Sequence, residues 1–242
     1  MMVLFLIAAA VSRTAAFSAS GSPHFRASFA QVRSASSLSA FDASTVAFFP
    51  GQGAQAVGMC KDLPGAKDYF DRASTILGYD LWERVMDGPK ETLDTTAVSQ
   101  PAIFVASMAA ASTLPDTPTA ACGLSLGEYS ALCYAGAISF EDGVRITKIR
   151  GEAMQAASDA SPSGMVSVIG LKRDVVESLC AKASEISGEK VAVANYLCDG
   201  NYAVSGSMKA CDTVCEIAKP DFKARMTVKL AVAGAFHTEF MS

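Results

Sequence analysis

The sequence predicts an α/β protein built in two parts, and three observations carry that expectation. Short apolar runs of strand length alternate with longer helix-compatible stretches along residues 44–232. In the first part, Gly123-Leu124-Ser125-Leu126-Gly127 joins the small-residue stretch Thr119-Ala120-Ala121-Cys122 to the helix-compatible run Glu128-Tyr129-Ser130-Ala131-Leu132, as a tight strand-to-helix turn would. In the second part the expected elements fall in βαββαβ order, the ferredoxin-like pattern.

Taken in order, residues 44–49 read as a strand ending in the Gly51-Gln52-Gly53 loop, 100–112 as a helix opening at Gln100-Pro101, and 119–123 as the strand into the turn at Ser125. Residues 140–157 read as an amphipathic helix that carries Arg150. A strand is expected over 164–170, a helix over 173–186, and strands over 190–195 and 202–205 around the turn Cys198-Asp199-Gly200-Asn201. A helix over 208–219 and a strand over 223–232 complete the second part.

The G-x-S-x-G run has the form of a nucleophile elbow, with glycines where a Cβ would meet neighbouring backbone. An alcohol nucleophile near neutral pH needs a general base, and imidazole is the commonest. The chain has two histidines, His24 in a serine-rich leader and His237 in Ala235-Phe236-His237-Thr238, so a histidine partner for Ser125 has to be His237. Asp142, Asp159, Asp174, Asp199, Asp212 and Asp221 all lie between Ser125 and His237, where the third member of a hydrolase triad would stand, and none sits in a recognisable motif. A Ser-His dyad with a backbone or amide acceptor behind the histidine fits equally well.

Several short motifs in a fixed order resemble the malonyl-CoA:acyl carrier protein transacylases, in particular their organellar, plant-like members. They are Phe49-Pro50-Gly51-Gln52-Gly53-Ala54-Gln55, Gln100-Pro101-Ala102, the elbow with Glu128-Tyr129-Ser130-Ala131, Arg150-Gly151-Glu152-Ala153-Met154-Gln155, Asn195-Tyr196 and Ala235-Phe236-His237-Thr238. The resemblance implies an α/β-hydrolase-like large subdomain over 44–160, an inserted ferredoxin-like subdomain over 161–231 and a return to the large subdomain from 232. It implies that Ser125 attacks the thioester of malonyl-CoA, that His237 takes its proton, and that a malonyl-serine then passes its acyl group to the phosphopantetheine thiol of acyl carrier protein, with no cofactor or metal. The backbone N–H groups of Gln52 and Leu126 would hold the oxyanion, and Gln52 would also line the substrate site. Arg150 would grip the malonyl carboxylate bidentately and disfavour acyl groups that leave it unpaired.

Two features depart from the family. Leu124 stands where many members carry histidine. Members also continue well beyond the His237 motif, with further strands, helices and a glutamine carbonyl that orients the histidine, so the chain ending at Ser242 reads as truncated at its carboxyl terminus. A serine esterase or thioesterase, and an inactive form acting at most as a carrier-binding module, are the alternatives.

Residues 1–11 form an apolar run too short to span a membrane, and 12–40 are rich in serine, contain Arg13, Arg26 and Arg33, and lack acidic residues. This reads as a two-part leader, a signal peptide over about 1–16 and a transit peptide over about 17–43, which points to import into the plastid stroma ahead of the mitochondrion. With 242 residues, half of them hydrophobic, the chain can bury a large core, and its net charge of −4 gives no reason to expect nucleic acid. No stable membrane insertion is expected once the leader is removed, and a monomer is the default. The seven cysteines show no metal-ligand spacing and read as reduced, buried thiols. Because acyl carrier proteins are acidic, a basic patch near the site mouth is expected, with Arg173, Lys209, Lys219, Lys223 and Arg225 as candidates.

Overall fold

The computed structural model describes residues 45–114, 118–230, 232 and 234–241. The leader reading and His24 lie outside the described residues. Two sheets organise the chain. In the first, β1 (Val46–Phe49) and β2 (Ala120–Gly123) pair in parallel, Val46 opposite Ala120 and Phe49 opposite Gly123. Parallel neighbours need a crossover connection, and here it is four helices: α1 (Ala66–Leu77), α2 (Leu81–Met86), α3 (Lys90–Asp94) and α4 (Thr96–Ala111).

No element is expected over 66–94, yet three helices lie there. The face of α1 that buries Ala66, Phe70, Ala73 and Leu77 has helical spacing. α2 and α3 are six and five residues long, too short to show a period, and α2 is started by Asp80, whose carboxylate accepts from the Glu83 N–H at 2.9 Å. α4 is buried almost all round, from Thr96 to Ala109, so it runs through the core of this half. It begins at Thr96 instead of 100, which places Pro101 inside the helix. The expectation treated Pro101 as a first-turn proline.

α5 (Leu126–Tyr134) leaves the elbow, and α6 (Phe140–Ala160) follows, capped by Ser139 accepting from the Asp142 N–H at 3.0 Å. Phe70, Leu81, Leu93, Phe104, Leu126 and Val144 make one buried core with β1, β2 and α1–α6; burying each such side chain stabilises by about 1.5–3 kcal/mol. Val46 and Phe48 point away from this core, Phe48 with 79 % exposure, beside a groove of about 630 Å³ bounded by Ile103, Ala110 and Leu114.

The second sheet has the order β4-β5-β3-β6, antiparallel throughout. Its strands are β3 (Ser163–Ile169), β4 (Val191–Cys198), β5 (Asn201–Ser207) and β6 (Met226–Lys229), with α7 (Arg173–Ser187) after β3 and α8 (Met208–Ile217) after β5. This is the expected ferredoxin-like arrangement. Val166, Val168, Val176, Leu179, Val204 and Val214 form its core between sheet and helices. The last strand is shorter than the expected 223–232, because Lys223 adopts φ 63 in the turn after α8 and cannot belong to a strand. Beyond β6, Phe236 packs with Met165, Ala194 and Ala203, and the segment ends in a single 3-10 turn, Glu239–Met241. No described helix is long and apolar enough to cross a membrane.

Candidate active site

Ser125 sits between β2 and α5 with φ 53 and ψ −102, a backbone conformation that costs a non-glycine residue on the order of 1–3 kcal/mol. Packing on both sides holds it there. Leu126, the next residue, is completely buried. Gly127 lies so close to β1 that a Cβ would stand 2.2 Å from the Phe49 carbonyl oxygen, and a Cβ on Gly51 would stand 2.8 Å from the Leu124 carbonyl oxygen. The Gly51-Gln52-Gly53 loop and the elbow are therefore pressed together backbone to backbone. Among the described residues, neither the Gln52 nor the Leu126 N–H donates to a backbone carbonyl, whereas the next two donate backwards, Gly127 to Leu124 and Glu128 to Ser125. Unused donors on two touching loops beside a serine are what an oxyanion site requires.

Two side chains meet Ser125 Oγ. His237 Nε2 lies 3.0 Å from it, and Arg150 Nη2 donates to it at 3.0 Å. Arg150 has donors only, so Oγ accepts from the guanidinium. In the tautomer that carries the ring proton on Nδ1, His237 Nε2 accepts the Ser125 hydroxyl hydrogen, the arrangement a general base requires. Among the described residues none of the six candidate aspartates pairs with the ring, and Ser125 and His237 stand together as a pair. His237 is itself at φ 62, so strain falls on both members of the dyad. Its segment is anchored on the start of β3, where the Ala235 N–H donates to Ser163 Oγ at 3.0 Å.

Desolvation of the ring in the cleft, and then the Arg150 charge, hold the His237 pKa below its ordinary 6.5. The neutral form is the base, so lowering the pKa extends function toward acid. Labelling of Ser125 by a fluorophosphonate is expected to lose its rate through an acid limb centred below pH 6.5. An acid limb centred above 6.5 would contradict this geometry.

The family model described as acyl transferase domain matches residues 46–242, a span that contains Ser125, Arg150 and His237. The chain belongs to the acyl transferase domain family. It is 42 % identical over 213 residues to the mitochondrial malonyl-CoA-acyl carrier protein transacylase of Homo sapiens, covering 81 % of this chain and 54 % of that protein. Among solved structures, the malonyl CoA-acyl carrier protein transacylase of Coxiella burnetii superimposes with a TM-score of 0.75 at 36 % identity, over 82 % of this chain and 65 % of that one. A structure described as a type II PKS acyl-carrier protein in complex with its malonyl-transacylase gives 0.75 at 34 % identity, over 81 % and 65 %. The chain thus spans between about half and two thirds of the relatives it matches.

Within this acyl transferase domain the structure adds a residue to which sequence reasoning gave no role. Gln100 is completely buried on α4, its Oε1 accepts from Arg150 Nη1, and its Nε2 donates to Gln52 Oε1 at 3.0 Å. Its partners lie far away in the chain, so no local pattern marks it. Arg150 also lies against the Tyr129 ring, 5.6 Å from its centroid, and burial draws its pKa down while Tyr129 and Glu128 oppose the shift.

Two expectations are corrected. The five candidate basic residues do not form one patch. Met208 N–H bonds to the Pro162 carbonyl, which puts Lys209 at the start of β3, the end where the His237 segment is anchored. Arg225 N–H bonds to the Ile169 carbonyl, which puts Arg225 at the other end, with Arg173 opening α7 and Lys219 and Lys223 in the turn after α8. The seven-residue β3 separates the two groups by about 20 Å. The cysteines are free as expected, but only Cys180 and Cys211 are buried, and Cys198 is exposed. Among the described residues no group of three His, Cys, Asp or Glu is placed to hold a metal ion.

Proposed function

We propose that this chain carries the acyl-enzyme site of a malonyl-CoA:acyl carrier protein transacylase. Ser125 Oγ attacks the thioester carbonyl as its proton passes to His237 Nε2, and the oxyanion is met by the N–H groups of Gln52 and Leu126. Collapse of the tetrahedral species expels the CoA thiolate, which takes the proton from His237 and leaves malonyl-serine. The carrier thiol then gives its proton to His237, attacks the ester and restores Ser125. No step uses a metal or cofactor.

The observation that carries this reading is the half-buried Arg150 guanidinium touching the nucleophile, with Nη2 3.0 Å from Oγ. A cation beside the nucleophile can meet the free carboxylate of a short dicarboxylic acyl group, and burial has already weakened its hydration, so a substrate carboxylate restores what burial removed. The relatives named as malonyl-CoA transacylases, and the solved complex named as an acyl-carrier protein with its malonyl-transacylase, support both substrate and partner. The same reading takes the protein to work as a monomer in an organelle. The two-part leader favours the plastid, whereas relatives from Homo sapiens, Mus musculus and Drosophila melanogaster are named mitochondrial; imaging residues 1–43 fused to a fluorescent protein separates the two destinations.

Intact-protein mass spectrometry after mixing with malonyl-CoA or acetyl-CoA tests the chemistry. A malonyl adduct on Ser125, passed on only when carrier protein is added, is expected. Arg150→Ala is expected to slow malonylation by about 100-fold and to erase the preference over acetyl-CoA. Thioester hydrolysis with no acyl preference and no response to carrier protein would replace this reading with an esterase or thioesterase.

A further inference from the structure

We propose that Gln100 is a positioning residue, fixing the Arg150 guanidinium for the acyl carboxylate and tying it to the Gln52 loop. The inference rests on the transacylase reading of the site and adds the element that makes its arginine selective.

The polarity of the contacts is forced. Arg150 can only donate, so the Gln100 carbonyl faces it and the Gln100 amide nitrogen faces away. That nitrogen donates to Gln52 Oε1 at 3.0 Å, which turns the Gln52 amide nitrogen toward Thr96 Oγ1 at 3.4 Å. The Thr96 N–H donates in turn to Gln155 Oε1 at 2.8 Å. One directed chain of hydrogen bonds thus runs from the guanidinium to the loop whose N–H faces the oxyanion, and it crosses α6, α4 and the β1 loop.

The placement of Gln100 is hard to explain as packing alone. It lies fully buried on a helix whose neighbouring positions are Ser99, Pro101, Ala102 and Ile103, where an aliphatic side chain of the same length would avoid the cost of desolvating an amide. Arginine, by contrast, needs such a partner. Its long side chain has many rotamers, and a guanidinium fixed on one side by Gln100 and stacked near Tyr129 presents its remaining donors in one orientation. Loss of that anchor leaves the charge in place but unaimed. The acyl groups that depend on Arg150 should suffer more than those that do not.

The test is acylation of the full chain by malonyl-CoA and by acetyl-CoA, in the parent, Gln100→Met and Gln100→Glu, with thermal unfolding of each. In Gln100→Met, malonylation is expected to fall about tenfold, largely as a raised KM, and clearly further than acetylation, which shares only the link to the Gln52 loop. Gln100→Glu keeps the size and the contact with Arg150 but sets a permanent carboxylate on the guanidinium, so it folds and competes with the substrate; its malonylation is expected to fall at least as far. Equal losses for both thioesters, or no change in either variant, would overturn the role of Gln100 while leaving the transacylase reading intact. A parent chain that neither thioester acylates overturns the transacylase reading itself, and this inference with it.

Discussion

Ser125→Ala is expected to abolish covalent acylation and to lower acyl transfer by at least about 10³-fold, because the two residues act as a unit and Ser125 Oγ is the hydroxyl that meets His237 Nε2. The mass of the protein after incubation with malonyl-CoA reads this directly, and an adduct that survives the substitution would place the nucleophile elsewhere. The same position should show the cost of reactivity. At φ 53 and ψ −102 a glycine is unstrained, so Ser125→Gly is expected to be inactive yet more stable than the parent by about 1–2 kcal/mol in urea unfolding. A Ser125→Gly chain less stable than the parent would show that the elbow is not strained.

Gly127→Ala is expected to be strongly damaging although it adds a single carbon. The added carbon would stand 2.2 Å from the oxygen and 2.8 Å from the carbon of the Phe49 carbonyl. Both atoms belong to backbone paired within β1–β2, so neither can yield as a side chain would. A loss of more than about 3 kcal/mol in chemical unfolding is expected, and any surviving folded protein should have lost the contact between the Gly51 loop and the elbow, and with it acylation. Stability within about 1 kcal/mol of the parent would mean that the elbow docks less tightly than these distances require.

The elements legible in the sequence were those whose cause is local. The βαββαβ half could be read because its strands and helices each cover enough residues to show their period, and Ser125 could be read because an elbow needs its two glycines within the same five residues. His237 followed by scarcity. The helix at 66–77 was equally legible, since Phe70, Ala73 and Leu77 fall on one helical face, but α2 and α3 are too short for any period to register. The start of α4 was misplaced because Pro101 is accepted inside a helix that tertiary packing surrounds on all sides. The role of Gln100 was not legible at all: its partners, Gln52 and Arg150, stand 48 and 50 residues away, and no local pattern reports a contact made across the fold.

The dyad also joins distant parts of the chain, its members 112 positions apart with the whole second sheet threaded in between. During synthesis Ser125 exists long before its base does. His237 can be seated only after the end of α6 and the start of β3 are in place, since Gly234 packs against Ser158 and Ala235 bonds to Ser163. The seating of His237 therefore waits on the second sheet, and until that sheet stands Ser125 has no imidazole beside it.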